Sequence, residues 1–321
     1  MLAVHNGERH LDASVRSVLA QRFADFELIV IDDGSTDRTP ALLSAWQRAD
    51  PRIVTRRQEN RGLAASLNLG IALARGVYLA RQDADDVSMP ERFERQAAFL
   101  DAHASVAAVG TAADVIDRSG AAAGALTPRC GAQAVRHGLL TLRSTPVHGS
   151  MMMRASAIAA SGGYREAFRL GQDYDLWLRL TERFEIDNLP DVLYQWRLDR
   201  EGVYATRRAA QLQYAGIALA FARERAAAGS DSYQQLAACG GELDRFVSSY
   251  RLAPFVHAMW GELLLRALGN SAIVREHLRR AVAGGDARPW TIGLLAWTHL
   301  GLPWPGGRPL TLDAAGSAET P

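Results

Sequence analysis

At 321 residues and 48% hydrophobic content, the chain is long enough for one large domain with an appendage and can bury a sizeable core. Lys and Arg number 36 against 35 Asp and Glu, so the balance gives no electrostatic case for nucleic acid or for strong attraction to an anionic membrane. Two cysteines, Cys130 and Cys239, lie far apart without CxxC or Cys/His spacing, which argues against a disulfide framework or a zinc site and fits a reducing compartment.

The opening MLAVHNGERH has neither the basic region nor the apolar core of a signal peptide. No segment approaches the ~18 uninterrupted apolar residues of a spanning helix, so a soluble, cytoplasmic protein is expected. LAV before His5 reads as the end of a buried strand, short of the usual ~5–6 residues, as though the chain began half a strand late. Residues 8–21 then form a helix with Leu11, Val15, Val18 and Leu19 on one face. FELIVI (26–31) is a strand covered on both sides, a helix spans 37–49, and RIVTR (52–56) is the next strand. GLAASLNLGIALA repeats Leu63, Leu67 and Ile71 at helical spacing, and GVYLA (76–80) is a further strand. Ser88 with Glu91 three residues on, and Pro90 in the first turn, predicts a capping box opening a helix to residue 102. A strand is expected over 106–116, a loop over 119–132, a strand over 148–154 and a helix over 173–184. Strands alternating with helices over two hundred residues predict an α/β fold with a mostly parallel sheet flanked by helices.

From about residue 205 the pattern is helical only, broken at Gly229, Gly240–Gly241, Gly269 and Gly284–Gly285. The expected organisation is a domain over 1–204, an all-α extension over 205–305 and a disordered tail over 306–321. Residues 260–285 resemble one helix-turn-helix unit of the tetratricopeptide type, although such repeats normally stack in ~3 units. A helical cap and a protein-binding surface are both readings of the extension.

Two acidic turns carry the chemistry. Asp83 and Asp85, two apart in ARQDADD, leave a strand toward the same side, where a divalent cation would compensate two desolvated carboxylates; the alternative is a solvated turn with Asp86 helping to cap the next helix. In DDGSTD, Asp32 and Asp33 again follow a strand, with Asp37 reading as a helix cap. Ligands of open parallel sheets sit beyond such strand ends.

The succession AVHNGE, VIDDGSTD, ENRGLAASLNLGI, ARQDADD, HGSMMMR with GGYRE, and QDYDLWLRL resembles the family-2 glycosyltransferases of the GT-A fold, over residues 1–200. The resemblance implies a nucleoside-diphosphate sugar donor, UDP- or dTDP-linked, and a Mg²⁺ or Mn²⁺ ion held by Asp85 and Asp83, with Asp83 also a candidate for the ribose. It implies that Ala3, Val4 and His5 border the base, that Asp33 pairs with it, and that Arg61 and Asn68 line the donor cleft. His5 stands where the family often has Tyr. Asp173 matches the general base of an inverting transfer to a saccharide or lipid-linked acceptor, as in surface polysaccharide assembly. Gln172 replaces a common Glu beside it, removing a negative charge, and Asp175 is the rival candidate.

Other residues have competing readings. His148 could approach the diphosphate or serve as a structural hydrogen-bonder, and Met151 to Met153 read as core. Arg179 and Arg197 could meet phosphate or form ion pairs. Trp290 and Trp297 could rest at the inner face of a membrane, a peripheral association, or pack inward. Two rival functions stand beside the transferase: a haloacid-dehalogenase-like phosphohydrolase using the DxD, and a non-catalytic scaffold of the same fold.

Overall fold

The computed structural model describes residues 1–198, 207–243, 245–246, 272–283 and 295. The chain divides into two compact units, Met1–Asp199 and Arg200–Pro321.

In the first unit β1 (Leu2–Val4), α1 (Leu11–Leu19), β2 (Leu28–Asp33), α2 (Thr39–Ala49), β3 (Ile53–Gln58) and α3 (Leu63–Leu73) alternate as the apolar periodicity requires. After β4 (Tyr78–Ala80), β5 (Gln82–Asp83) joins the free edge of β1, and the four-stranded sheet β3-β2-β1-β5 is parallel throughout. Side chains alternate across β2, so Leu28 and Val30 join Leu11, Val15 and Val18 of α1 in the core. All of β2 is buried, up to Asp32 and Asp33 at its carboxyl end.

A second, six-stranded sheet is mixed. It contains β6 (Val87–Ser88), β7 (Val106–Ile116), β8 (Ala122–Leu126), β9 (Met152–Arg154) and β10 (Glu185–Arg197). Its order is β4-β9-β7-β10-β6, with β8 on β7. Only β7 and β10 run parallel; the other pairs are antiparallel. The helices of this part are α4 (Arg92–Ala102), α5 (Ala132–Leu140), α6 (Ala155–Ala160) and α7 (Gln172–Leu180). Arg81 alone separates β4 from β5, so the chain changes sheets at one residue. Its N–H bonds to Met151 O at 2.8 Å in one sheet, while the N–H of Gln82 bonds to Met1 O at 3.0 Å in the other.

Several expectations need correction. Ser88 does not cap α4: it lies in β6, its hydroxyl bonds to Gln82 Oε1 at 2.6 Å, and α4 begins three residues beyond Met89. Residues 119–132 are not all loop, because pairing with β7 draws Ala122–Leu126 into a strand despite weak intrinsic β propensity. The strand expected over 148–154 is a 3₁₀ turn, His148–Ser150, followed by β9. A Cβ on Gly149 would collide with the Tyr194 hydroxyl and come within 2.7 Å of Asp83 Oδ2, so the turn exploits a missing side chain. Neither α5 nor β10 was expected. Pro190, Asp187 and Asp191 break the apolar alternation of β10, and its pairing with β7 shifts register between Leu189 and Val192, around the proline.

In the second unit α8 (Arg208–Ala228) ends at Gly229, whose φ of 75° is the left-handed cap that glycine adopts freely. It is followed by α9 (Tyr233–Ala238) and α10 (Ala272–Ala283). Phe221 and Phe246 meet edge to face at 6.0 Å. Of the tetratricopeptide-like stretch only α10 falls among the described residues; Trp290, Trp297 and the 306–321 tail lie outside them. No helix among the described residues is long and apolar enough to cross a membrane.

Candidate active site

The acidic cluster sits where β5 ends. Sequence reasoning expected a bound cation to compensate it, but the fold itself supplies a charge that reasoning missed. Arg81, with no exposed surface, donates from Nη2 to Asp83 Oδ1 at 2.5 Å. A second buried guanidinium, Arg92, donates to Arg81 O at 2.6 Å, Ser88 Oγ at 2.7 Å and Gln82 Oε1 at 3.1 Å, tying β5, β6 and α4 together beneath the cluster. Burial alone would raise the Asp83 carboxyl; Arg81, together with His148 and Arg92, outweighs it and holds the group below the usual carboxylate range.

The three carboxylates therefore differ. Asp86 is buried, accepts the N–H of Arg197 at 2.7 Å on Oδ1, and leaves Oδ2 without a partner. Burial, with Asp83 and Asp85 close by, pushes its carboxyl well above the normal range. Asp85 is half-buried, and its side chain bonds to no other residue. Burial and the Asp83 carboxylate push it up to about 6. Arg197 fixes the backbone here, donating from Nε to Asp85 O at 2.8 Å and from Nη1 to Asp117 O at 2.8 Å. Arg197 is thus a buried strut whose guanidinium is spent on backbone carbonyls rather than held free for phosphate.

Among the described residues no group of three or more His, Cys, Asp or Glu could hold a metal ion by protein ligands alone. The donor set nevertheless fits a hard cation that keeps water or phosphate oxygens. Asp85 is uncompensated, and Asp83 Oδ2 lies over the side-chain-free Gly149.

At the end of β2, Asp33 is fully engaged by the β3–α3 loop. Oδ1 accepts Gln58 Nε2 at 2.7 Å and the Arg61 N–H at 2.9 Å, and Oδ2 accepts the Gly62 N–H at 2.8 Å. Burial would raise its carboxyl, but these hydrogen bonds hold it low. His5 stands beside it, with Nδ1 2.9 Å from Asp33 O and Nε2 3.3 Å from Asn6 Nδ2. Val4 is in the core, and Ala3 pairs with Ile31 and Asp83, so of the three only the His5 side chain is exposed.

Asn68, expected along the donor cleft, is spent on the protein. Its amide donates to Tyr164 O and accepts the Tyr164 N–H, both at 2.9 Å. Arg61 remains largely exposed and reaches Glu166 at 3.4 Å. The loop around Tyr164 is pinned from the other side by Arg179, which donates to Gly163 O at 2.8 Å and pairs with the buried Asp175 at 2.9 Å. Arg165 reaches the same carboxylate at 3.4 Å. Asp175 is therefore a structural anchor, and Arg179 forms the ion pair rather than meeting phosphate.

Asp173, in the first turn of α7, is half-buried, and its side chain bonds to no other described residue. Both Asp173 and Asp83 act on His148 and Tyr164, whose side chains meet at 2.8 Å, Nε2 to hydroxyl. Burial and Arg81 bring His148 down to about 4, so its imidazole is neutral at physiological pH. The structure thus groups Asp83, Asp173 and His148 in one electrostatic neighbourhood. Tyr164 and Arg81 belong to it as well, and no sequence reading singled them out; a charged residue between an apolar strand and the DxD was the available signal for Arg81.

A sequence profile described as Glycosyl transferase family 2 matches residues 1–161. EpsE of Bacillus subtilis (strain 168), named as a glycosyltransferase, is 38% identical over 207 residues, covering 63% of this chain and 73% of that protein. The amylovoran biosynthesis glycosyltransferase AmsE of Erwinia amylovora is 26% identical over 211 residues, covering 64% and 78%. Among solved structures, S. aureus TarS 1-349 in complex with UDP superposes with a TM-score of 0.58 at 16% identity, covering 94% of this chain and 91% of that one. The mannosyltransferase PcManGT of Pyrobaculum calidifontis, in complex with GDP-Man and Mn²⁺, gives 0.55 at 17%, covering 93% and 78%. These likenesses bear out the α/β fold of the GT-A type. With the profile spanning half the chain and one relative well above 30% identity, the chain belongs to glycosyl transferase family 2.

Proposed function

We propose that the protein transfers a sugar from a nucleoside-diphosphate sugar, UDP- or dTDP-linked, to a hydroxyl of a saccharide or lipid-linked saccharide, with inversion, in the assembly of a surface polysaccharide. One observation carries this reading. Of the eight aspartates in the motifs, Asp32, Asp33, Asp37, Asp83, Asp86 and Asp175 are all engaged by donors of the protein, while Asp85 and Asp173 bond to no other described residue. Carboxylates held half-buried without partners are costly unless a ligand completes them.

Asp173 would accept the proton of the acceptor hydroxyl as its oxygen attacks the anomeric carbon from the face opposite the departing diphosphate. Asp85 and Asp83 would hold Mg²⁺ or Mn²⁺, which supplies Lewis-acid stabilisation where negative charge develops on the leaving group. Arg92 holds the backbone at Arg81 and Arg197 holds it at Asp85, so the carboxylates between and beside them need not reorganise during reaction. Asp33 orders the 58–62 loop beside His5, and that edge would receive the base and ribose. Donor complexes of the structural neighbours TarS and PcManGT, and the polysaccharide role in the name of AmsE, support the substrate classes.

The test is turnover of a panel of UDP-, dTDP- and GDP-sugars with and without Mn²⁺, with NMR of the product. Donor-dependent release of nucleotide and an inverted anomeric centre are expected. Retained configuration would remove the single-displacement mechanism, and failure of every donor to bind would remove the function.

A further inference from the structure

His148 is held more rigidly than a packing residue requires, and one of its nitrogens is left over. Its Nε2 meets the Tyr164 hydroxyl at 2.8 Å, and its ring stands edge-on to Trp177 with centroids 5.9 Å apart. Tyr164 cannot drift, because the Asn68 amide grips both its backbone N–H and C=O. Nδ1 of His148 has no hydrogen-bond partner among the described residues, and the residue is half-buried rather than sealed.

The tautomer follows from hydrogen-bond accounting. The Tyr164 side chain is buried, and among the described residues His148 Nε2 is the only group its hydroxyl meets. If Nε2 carried the ring proton, the tyrosine O–H would be a buried donor without an acceptor, which native structures avoid. The hydroxyl therefore donates to Nε2, and the ring proton resides on Nδ1. Position adds the second element. Gly149, the next residue, packs so closely on Asp83 that a Cβ there would lie 2.7 Å from Oδ2, and Trp177, which meets the ring, lies one turn beyond Asp173 on α7. On the transferase reading the sugar would cross between those two carboxylates, and an N–H donor beside them suits a sugar hydroxyl.

We propose that His148 is a specificity-determining residue whose Nδ1–H, fixed in place and tautomer by Tyr164, donates a hydrogen bond to a hydroxyl of the transferred sugar. This rests on the transferase reading above, and its test separates the two.

The experiment exploits side-chain reach: Asn places its amide near the position of Nδ1, whereas Gln reaches that of Nε2. Wild type, His148→Asn, His148→Gln and Tyr164→Phe are assayed with Mn²⁺ and UDP-glucose, UDP-galactose, UDP-N-acetylglucosamine and GDP-mannose. Binding of bare UDP and GDP and thermal midpoints are measured alongside. For the preferred donor, His148→Gln should lower kcat/KM about 10- to 100-fold and His148→Asn less than about fivefold, the scale of one buried hydrogen bond. Affinity for the bare nucleotide should change less than about twofold in each. A donor analogue lacking the recognised hydroxyl should be equally poor with wild type and His148→Gln. The opposite order, Gln active and Asn inactive, would make His148 a mere prop for Tyr164 and overturn the proposal alone. Weakened binding of bare nucleotide in His148→Gln would also overturn it, by assigning the nitrogen to the diphosphate. Absence of binding by all four donors would overturn the transferase reading along with it.

Discussion

Arg81 donates to Asp83 at 2.5 Å from a side chain that solvent does not reach, at the residue where the chain passes between its two sheets. The fold thus pairs a fixed positive charge with the first aspartate of the DxD and pairs none with the second. Removing Arg81 strands the Asp83 carboxylate in a poorly solvated place. Arg81→Met should destabilise the protein by about 3–5 kcal/mol, the cost of breaking a buried pair from one side. Urea unfolding measures it, and a change below about 1 kcal/mol would show that Asp83 is solvated after all.

Asp85 should control metal affinity and its pH dependence. Its carboxyl lies at about 6, so a cation must displace a proton below that pH and none above it. Mn²⁺ affinity, followed by calorimetry, should be flat above pH 7 and fall about tenfold per unit below 6. Asp85→Asn should weaken Mn²⁺-dependent donor binding and abolish the step in the profile. An unchanged profile in the variant would transfer the proton to another group.

Asp173→Asn should leave donor binding intact while lowering kcat by about 10²–10⁴, the usual contribution of a positioned base. The folded structure should survive, because no other residue bonds to that side chain. Asp175→Asn differs in kind: it breaks a buried carboxylate from Arg179 and Arg165, so its main effect should be a lower unfolding midpoint. Equal kinetic damage with unaltered stability in both would sink the assignment of the base.

Asp33 offers a stability test with a defined sign. Its carboxyl is held low in the folded state, so its contribution is fully present above the unfolded value near 4 and is lost as pH falls through the folded value. Asp33→Asn should cost about 1–3 kcal/mol at pH 7, since an amide cannot accept at both oxygens. The gap from wild type should close progressively below pH 4. A gap constant with pH would mean the lost interaction is steric rather than ionic.

Much of the first unit was legible in the chain itself. Leu11, Val15 and Val18, and the fully buried run of β2, announce their elements because burial on one or both faces imposes a period that local residues must obey. The aspartates at the ends of β2 and β5 were likewise visible, since carboxylates cluster at a strand end only where something engages them. Elements such as β8 and β10 were hidden. Ala122–Leu126 extends because β7 lies beside it, and β10 tolerates Pro190 because its register shifts there.

The sequence by itself determined the family, the alternation of strands and helices, and which carboxylates stand where β2 and β5 end. Only the tertiary structure decided how those carboxylates divide their work. Asn68 and Asp175, alike in type to binding residues, are consumed by Tyr164 and by Arg179, while Asp85 and Asp173 are left open. The reason is physical. A side chain's chemistry is inherited from its residue type, but whether its hydrogen-bonding capacity is already satisfied depends on partners about a hundred positions away, as Asn68 and Tyr164 show.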